Sequence, residues 1–199
     1  MAVMGRPRAF DRDVALEAAM LVFWRKGFSA ASMNDLCDAM GIRSPSLYAA
    51  FGSKEALYLE AIDHYVGTIG PPVWDQLEEG ATARAGVENL LLAGTESLPQ
   101  SVSTPAGCMA LLGGVSDEWP APIADAVRTV RLEMLGHLRS RLEAAVAEGE
   151  LPPSTDIERL SRFYLSVFQG MAIQARDGAT AAELKGLVEA AMAAWPSGA

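Results

Sequence analysis

The feature that most constrains this chain is a repeat of apolar residues every three or four positions, broken at intervals by glycine or proline. In the first such segment Leu16, Ala19, Met20 and Phe23 recur at the spacing of one helix face. No stretch combines two-residue alternation with the β-branched enrichment that strands favour. The pattern predicts an all-α fold of about nine helices.

Capping residues and breakers predict where the helices begin and end. The first helix is expected from the N-cap Asp11 to Gly27, and Ser53 is expected to cap the fourth. After the break at residues 70–72, longer helices are expected at about 83–98 and 122–148. Capping boxes at Thr155 with Glu158 and Thr180 with Glu183 predict two more, the last ending near Trp195.

Two short helices between these elements have the form of a helix-turn-helix. Ser32 with Asp35 three residues later opens the first, and Gly41 supplies the tight turn that ends it. The second starts at Ser44, with Pro45 at its first helical position. In a helix-turn-helix this end meets base edges in the major groove, and its N–H groups suit phosphate. The residues alone also allow an ordinary, well-capped helical hairpin.

The distribution of charge decides whether such a chain can hold DNA. The 199 residues carry a formal net charge of −9, with a pI near 4.7, which argues against a general polyanion binder. Residues 1–65 hold 7 basic and 8 acidic side chains, whereas residues 66–199 hold 9 and 17. The acidity therefore lies in the second part, and the first is almost neutral.

Other classes of protein find little support in the sequence. With two cysteines, Cys37 and Cys108, neither a disulfide framework nor a four-ligand zinc site is available, and no cofactor is expected. No apolar run is long enough to span a bilayer and no signal peptide is visible, so we expect a soluble cytoplasmic protein without a membrane partner. Cys108 with His64 or His137 forms no recognisable catalytic motif, so we do not expect an enzyme.

From residue 8 to residue 65 the sequence resembles the TetR/AcrR family of bacterial transcriptional regulators. The matching segments are "ALEAAMLVFWRKGF" and "SMNDLCDAMGIRSPSLYAAFGSKEALYLEAI". Farther on, "YLSVFQGMAIQARDGAT" is similar to the family's penultimate, dimerising helix. The resemblance implies a three-helix DNA-binding head at residues 1–52, then a helical effector-binding and dimerisation domain at 53–199, with 53–68 as the connecting helix.

The resemblance also implies roles for single residues at double-stranded operator DNA. Ser32, Tyr48 and Lys54 would contact phosphates, and four residues would face the groove: Arg43, Ser44, Pro45 and Ser46. A basic arm in front of the first helix, with Arg6 and Arg8 on either side of a proline, is also expected to contact DNA. The alternative for Tyr48 is a half-buried core aromatic.

The second part of the chain is expected to form a homodimer and to bind an unidentified small-molecule effector. Apolar and aromatic residues with few charges suggest the pocket: Trp74, Met109, Leu112, Trp119, Met134, Phe163, Tyr164 and Phe168. Stripes on the last two helices suggest the dimer surface: Phe163, Val167, Gly170, Met171, Leu184, Leu187, Val188 and Met192. For each residue the alternative is a place in the core.

The resulting hypothesis is a sequence-specific transcriptional regulator, most simply a repressor released by an effector. Two alternatives remain within the same family, namely an activator and a thiol-based redox sensor acting through Cys108, whose place at a helix start can lower a thiol pKa. A helical protein–protein adaptor is the rival outside the family, but it would not need a polar-fronted third helix.

Overall fold

The computed structural model describes residues 10–113 and 119–196 of the chain. Within these residues the chain is helical throughout and contains no strand, which confirms the predicted fold class. Three of the helices have only four residues. The helices are α1 (Arg12–Ala30), α2 (Met33–Met40), α3 (Ser44–Phe51), α4 (Lys54–Thr68), α5 (Pro71–Trp74), α6 (Gln76–Glu79), α7 (Ala83–Ser97), α8 (Met109–Leu112), α9 (Ala121–Ala147), α10 (Ile157–Arg176) and α11 (Ala181–Met192).

Side-chain caps begin α1 and α4, as the sequence predicts, whereas α3 begins without one. Asp11 accepts hydrogen bonds from the amides of Asp13 and Val14, and Ser53 accepts one from Ala56. Such caps satisfy amide groups that have no carbonyl partner within the helix, and each stabilises its helix by about 1 kcal/mol. The starts of α1 and α4 are therefore determined locally.

The turn between α2 and α3 depends on the backbone of Gly41. This residue has φ 64° and ψ 26°, the left-handed region in which a side chain is strained. Its amide donates to the Asp38 carbonyl and the next amide, that of Ile42, donates to Cys37. The turn redirects the chain so that α3 packs its Leu47 side into the head and leaves its other side to solvent.

A continuous hydrophobic core joins the head to the larger helical body. In the head it contains Leu36, Leu47, Phe51 and Leu57, each at most 4% exposed. Burying one such side chain stabilises the fold by about 1.5–3 kcal/mol. The same cluster continues through α4 into α7, α9, α10 and α11. The head is thus packed against the body through α4 as well as connected by it.

Three helix boundaries differ from the predictions. Beyond Gly27, whose backbone is non-helical (φ 73°, ψ 171°), α1 resumes for a short segment. The capping box predicted at Thr155 is not present. Asp156 caps α10 instead by accepting from the Arg159 amide, and Glu158 pairs with arginines. The last helix ends at Met192 rather than near Trp195. Among the described residues, no helix combines the length and hydrophobicity needed to cross a membrane.

Candidate nucleic-acid interface and effector cavity

The outer side of α3 presents a set of small polar residues to solvent. Arg43, Ser44, Pro45 and Ser46 are all exposed, and Tyr48 one turn later is 49% exposed. The alternative of a core position for Tyr48 therefore does not hold. The N-cap residue of α3 makes no side-chain cap, and Pro45 has no amide hydrogen. The start of α3 is therefore exposed and carries no side-chain cap, so a phosphate or a base edge can approach it.

Ser32 lies at the start of α2 and caps this helix. Its hydroxyl accepts from the Asp35 amide at 3.1 Å and donates to the Asp35 carboxylate at 2.8 Å. The carboxylate also pairs with Lys26 at 2.7 Å, and these contacts, with the Lys26 bond the largest, lower the pKa of Asp35 to about 2. Ser32 is exposed while it caps the helix, so its expected phosphate contact remains a prediction.

Lys54, at the first turn of α4, is held against the end of α1. Its ammonium nitrogen lies 4.5 Å from the centroid of the Phe28 ring, a cation–π arrangement. Partial burial lowers the pKa of this lysine. The phosphate contact expected of Lys54 remains a prediction, and Arg6 and Arg8 of the basic arm lie outside the described residues.

Sequence reasoning missed Arg12, which links α1 to both α3 and α4. One of its terminal nitrogens donates to both carboxylate oxygens of Glu60 on α4, at 2.6 and 2.9 Å, and to the Ala50 carbonyl of α3 at 3.3 Å. Its guanidinium also lies 4.4 Å from the ring centroid of Phe51. Because the partner carboxylate is 48 residues away, no local pattern could identify the pair.

A partly open cavity of about 260 Å³ lies where α4, α5, α6, α7, α9 and α10 meet. Of the pocket residues expected from the sequence, Trp74, Met134 and Phe168 line it. Met109, Leu112 and Trp119 instead line a second cavity between the end of α1 and α8. The remaining two line neither cavity: Tyr164 is buried against Trp195, and Phe163 is 39% exposed on the surface.

Cys108 lies in the wall of the first cavity, directly before α8. The Tyr65 hydroxyl donates a hydrogen bond to its sulfur at 3.2 Å. Burial raises the pKa of the Cys108 thiol, and this outweighs the opposing effects of the Tyr65 bond and the nearby amides. Cys108 is therefore a buried thiol, and the structure gives no support to the alternative in which a helix start activates it. No group of three or more potential metal ligands occurs in the described part of the chain.

A short segment, Ala106 to Cys108, connects the wall of the cavity with the end of α1. The Trp24 indole donates to the Gly107 carbonyl at 3.2 Å, and its ring contacts Tyr65 edge-on at a centroid distance of 4.9 Å. Arg176, the last residue of α10, donates to the carbonyls of Trp24 and Ala106 at 3.2 Å each, and also to that of Arg25. The head, the cavity and α10 therefore meet around one segment.

The expected dimer residues separate into two groups. Met171, Leu184, Val188 and Met192 are at most 5% exposed, so they belong to the protomer's own core, where a second copy has no access. Phe163, Val167, Gly170 and Leu187 are exposed or half-buried on the outer sides of α10 and α11. Only this second group can contribute to a dimer surface.

The exposed α3 on a helical body defines a helix-turn-helix transcriptional regulator that binds DNA sequence-specifically. Residues 15–61 match "Bacterial regulatory proteins, tetR family", and residues 89–191 match "Tetracyclin repressor-like, C-terminal domain". The chain belongs to the TetR family.

Relatives and a solved structure agree with this assignment. The HTH-type transcriptional repressor ComR of Escherichia coli (strain K12) is 34% identical over 196 residues, covering 96% of this chain and 92% of ComR. BdcR, another repressor of that organism, is 40% identical over 111 residues, 56% of each protein. The structure of a cysteine mutant of the TetR family regulator CifR, complexed with 26-bp double-strand operator DNA, matches with a TM-score of 0.91. It is 42% identical and covers 96% of this chain and 100% of CifR.

Proposed function

We propose that the protein is a homodimeric repressor that binds operator DNA through α3 and leaves it when a small molecule occupies the cavity of the body. The observation that carries the DNA role is the exposed run from Arg43 to Ser46 on an uncapped helix start. The repressor role is supported by the similarity to ComR and BdcR, which are both HTH-type transcriptional repressors. Its place of action would be the bacterial cytoplasm, where chromosomal operators lie.

At the operator, Arg43, Ser44, Pro45 and Ser46 would face the major groove, and Ser32, Tyr48 and Lys54 would hold phosphates on either side. Short side chains let the backbone of α3 approach the bases closely, while the longer tyrosine and lysine reach the DNA backbone. Arg6 and Arg8 would follow the backbone from the N-terminal arm. We propose residues 1–52 as the DNA-binding unit and 53–199 as the regulatory unit, with 53–68 as the connecting helix.

Fluorescence anisotropy with the DNA upstream of the protein's own gene tests this role. Arg43→Ala removes a positive charge next to α3 and should raise the operator Kd about tenfold. The matched control is Arg159→Ala, which removes the same charge from a side chain that is 83% exposed on α10. Equal Kd values for both variants, or no preference for the upstream DNA over scrambled DNA, would contradict the proposal.

Release by an effector is supported by the contact between the cavity and the head. Cys108 and Tyr65 line the cavity, and the neighbouring Gly107 carbonyl holds the Trp24 indole of α1. A ligand that pushes on this wall would move the end of α1 and so the separation of the two heads in a dimer. Because a dimer must fit two half-sites at once, a small shift in head separation weakens binding.

A cavity-filling variant separates ligand release from DNA binding itself. Val130→Phe enlarges a half-buried residue of the cavity wall, and Leu132→Phe places the same ring on the exposed side of the same helix. Small apolar and amphipathic molecules are screened for release of fluorescent operator from the unmodified protein. Molecules that release it should fail with Val130→Phe and succeed with Leu132→Phe. Equal responses would place the effector elsewhere.

We propose that the two copies meet through the outer sides of α10 and α11, around Phe163, Val167, Gly170 and Leu187. A Cβ atom on Gly170 would meet no other atom of the protomer within 4 Å, so the bare backbone there is open to a second copy. Gly170→Leu should therefore produce monomers in analytical ultracentrifugation. Gly67→Leu, at an exposed and equally open position on α4, is the control. An intact Gly170→Leu dimer would move the interface elsewhere.

The two alternatives within the family give different outcomes in the same experiments. An activator would bind the operator but raise transcription of the adjacent gene in a reporter strain. A redox sensor acting through Cys108 would lose operator binding after mild oxidant, with an oxidised Cys108 in mass spectrometry. The buried thiol and its raised pKa disfavour the second alternative.

A further inference from the structure

The cavity proposed for the effector has an apolar interior. Val73, Leu77, Met134 and Phe168 form its deep wall, and each is at most 8% exposed. Such a surface binds the hydrocarbon part of a ligand through the hydrophobic effect and does not distinguish one apolar group from another. The polar residues of the lining must therefore decide which class of molecule the cavity takes.

The mouth of the cavity is acidic. Asp75 directly precedes α6, Glu78 lies on α6 and Glu133 lies on α9, and all three belong to the lining and are exposed. No ion pair between described residues involves any of the three, and no lysine or arginine occurs among the described residues of the lining. Three carboxylates without a cation beside an apolar interior attract positive charge and repel negative charge.

Trp74 connects the interior to the mouth. Its ring is half-buried, contacts Phe168 at a centroid distance of 5.4 Å on the inner side, and lies 6.4 Å from His137 at the rim. Indole is the side chain with the strongest attraction for an ammonium group held against its ring. The ring therefore stands where the polar end of a bound molecule would leave the apolar interior.

We propose that the effector is a cationic amphipathic molecule, of the arylalkyl- or alkylammonium class. Its hydrocarbon end would lie on Val73, Leu77 and Phe168, and its ammonium group would lie at the mouth among Asp75, Glu78 and Glu133. An amphipathic anion would place its charge beside these carboxylates, and an uncharged molecule would gain nothing from them. This inference rests on the proposed effector role of the cavity and adds the chemical class of ligand.

Three probes that share a phenyl ring on a four-carbon chain test the charge preference by isothermal titration calorimetry on the full-length protein. They are 4-phenylbutyltrimethylammonium, 5-phenylpentanoate and 5-phenylpentanamide, which is the uncharged isostere of that carboxylate. The cation should bind at least about tenfold more tightly than the uncharged isostere, and the carboxylate should bind most weakly. If the uncharged molecule or the carboxylate binds as tightly as the cation, the cavity still takes ligands but the class is wrong.

Matched variants then place the charge preference at the mouth. The triple variant Asp75→Asn, Glu78→Gln and Glu133→Gln keeps the shape of the rim and should raise the Kd of the cation about 3- to 30-fold. The Kd of the uncharged isostere should change by less than about twofold. The control triple variant removes the same net charge from exposed residues distant from the cavity lining: Glu143→Gln, Glu148→Gln and Glu189→Gln.

Each outcome of this comparison is decisive. A loss of cation affinity in the rim variant but not in the control variant supports the proposal. An equal loss in both variants means that the overall charge, not the mouth, selects the ligand. If none of the three probes binds at millimolar concentration, the ligand class is rejected. The wider proposal of release by an effector is tested separately, because the operator-release screen with Val130→Phe does not depend on the charge of the ligand.

Discussion

Arg176 allows the link between the body and the DNA-binding head to be tested directly. Replacing it with methionine keeps most of the apolar stem of the side chain but removes the guanidinium group and with it every donor. Three carbonyls then lose a hydrogen bond: those of Trp24 and Arg25 at the end of α1, and that of Ala106 beside the cavity. All three lie more than 60 residues from Arg176 along the chain, so no local structure replaces them.

The size of the effect follows from the surroundings of these bonds. Each hydrogen bond contributes about 1 kcal/mol net, and a bond from a charged donor contributes more. Two of the three are partly buried and one is exposed, where water replaces the lost donor. We therefore expect Arg176→Met to lower the free energy of unfolding by about 1.5–3 kcal/mol. For a chain of this size, this corresponds to a fall in Tm of roughly 3–12 °C.

The same change should also weaken operator binding. With α1 less firmly held, a smaller fraction of molecules presents the two heads at the correct separation, and the apparent Kd rises in inverse proportion to that fraction. A fall to about one fifth raises the Kd about fivefold. Thermal unfolding measures the loss of stability, and operator anisotropy measures the loss of affinity. The unfolding experiments use one fixed protein concentration, because the apparent stability of a dimer depends on concentration.

Arg159→Met is the control, since it removes an arginine of the same helix that, among the described residues, forms one exposed ion pair, with Asp156. Such a pair contributes at most about 1 kcal/mol. If Arg176→Met unfolds within 1 °C (about 0.3 kcal/mol) of this control and binds the operator equally well, then Arg176 does not link the body to the head.

Four further predictions concern the head. Gly41→Ala should lower the free energy of unfolding by about 1–2 kcal/mol, because Gly41 has a φ of 64°. Gly67→Ala should raise the free energy of unfolding by about 0.5–1 kcal/mol, because Gly67 is helical and its position is equally unobstructed. Similar urea midpoints for the two variants would refute the argument. The pKa of Asp35 in the folded protein, about 2, lies below its ordinary value of 3.8, so its stabilising effect is present above pH 4 and is lost as pH falls towards 2. The stability difference between the unmodified protein and Asp35→Asn should shrink over that range, and a difference constant with pH would contradict the assignment. Tyr48→Phe should raise the operator Kd about 3- to 10-fold with an unchanged Tm, since the ring is 49% exposed; an unchanged Kd would exclude the phosphate contact. Deleting residues 1–8 should weaken operator binding and reduce the slope of log K against log salt by about 2, one for each arginine, which a salt titration measures directly.

Much of the head could be predicted because its signals are local. The caps at Asp11 and Ser32, like those at Ser53 and Thr180 farther along the chain, act on amides two or three residues away, and Gly41 determines its turn through its own dihedral angles. The outward side of α3 follows from the same logic, since buried Leu47 and Phe51 fix which side faces away from the core. The capping box at Thr155 failed because the adjacent Asp156 offers a stronger acceptor at the neighbouring position.

The site in the body depends on contacts that no local pattern records. Apolar residues of α7, α10 and α11 look alike in sequence whether they line a cavity, fill the core or face a second copy, because all three environments favour the same side chains. The structure separates them: Phe168 lines the cavity, Met171 lies in the core, and Phe163 is at the surface.

The sequence alone therefore determined the helices, their caps and the polar side of α3, since each depends on residues within about four positions of one another. Only the tertiary structure decided how Arg12 reaches Glu60, how Arg176 and Trp24 hold the segment beside the cavity, and which carboxylates surround its mouth. These contacts join residues tens of positions apart, and they exist only after packing has brought the helices together.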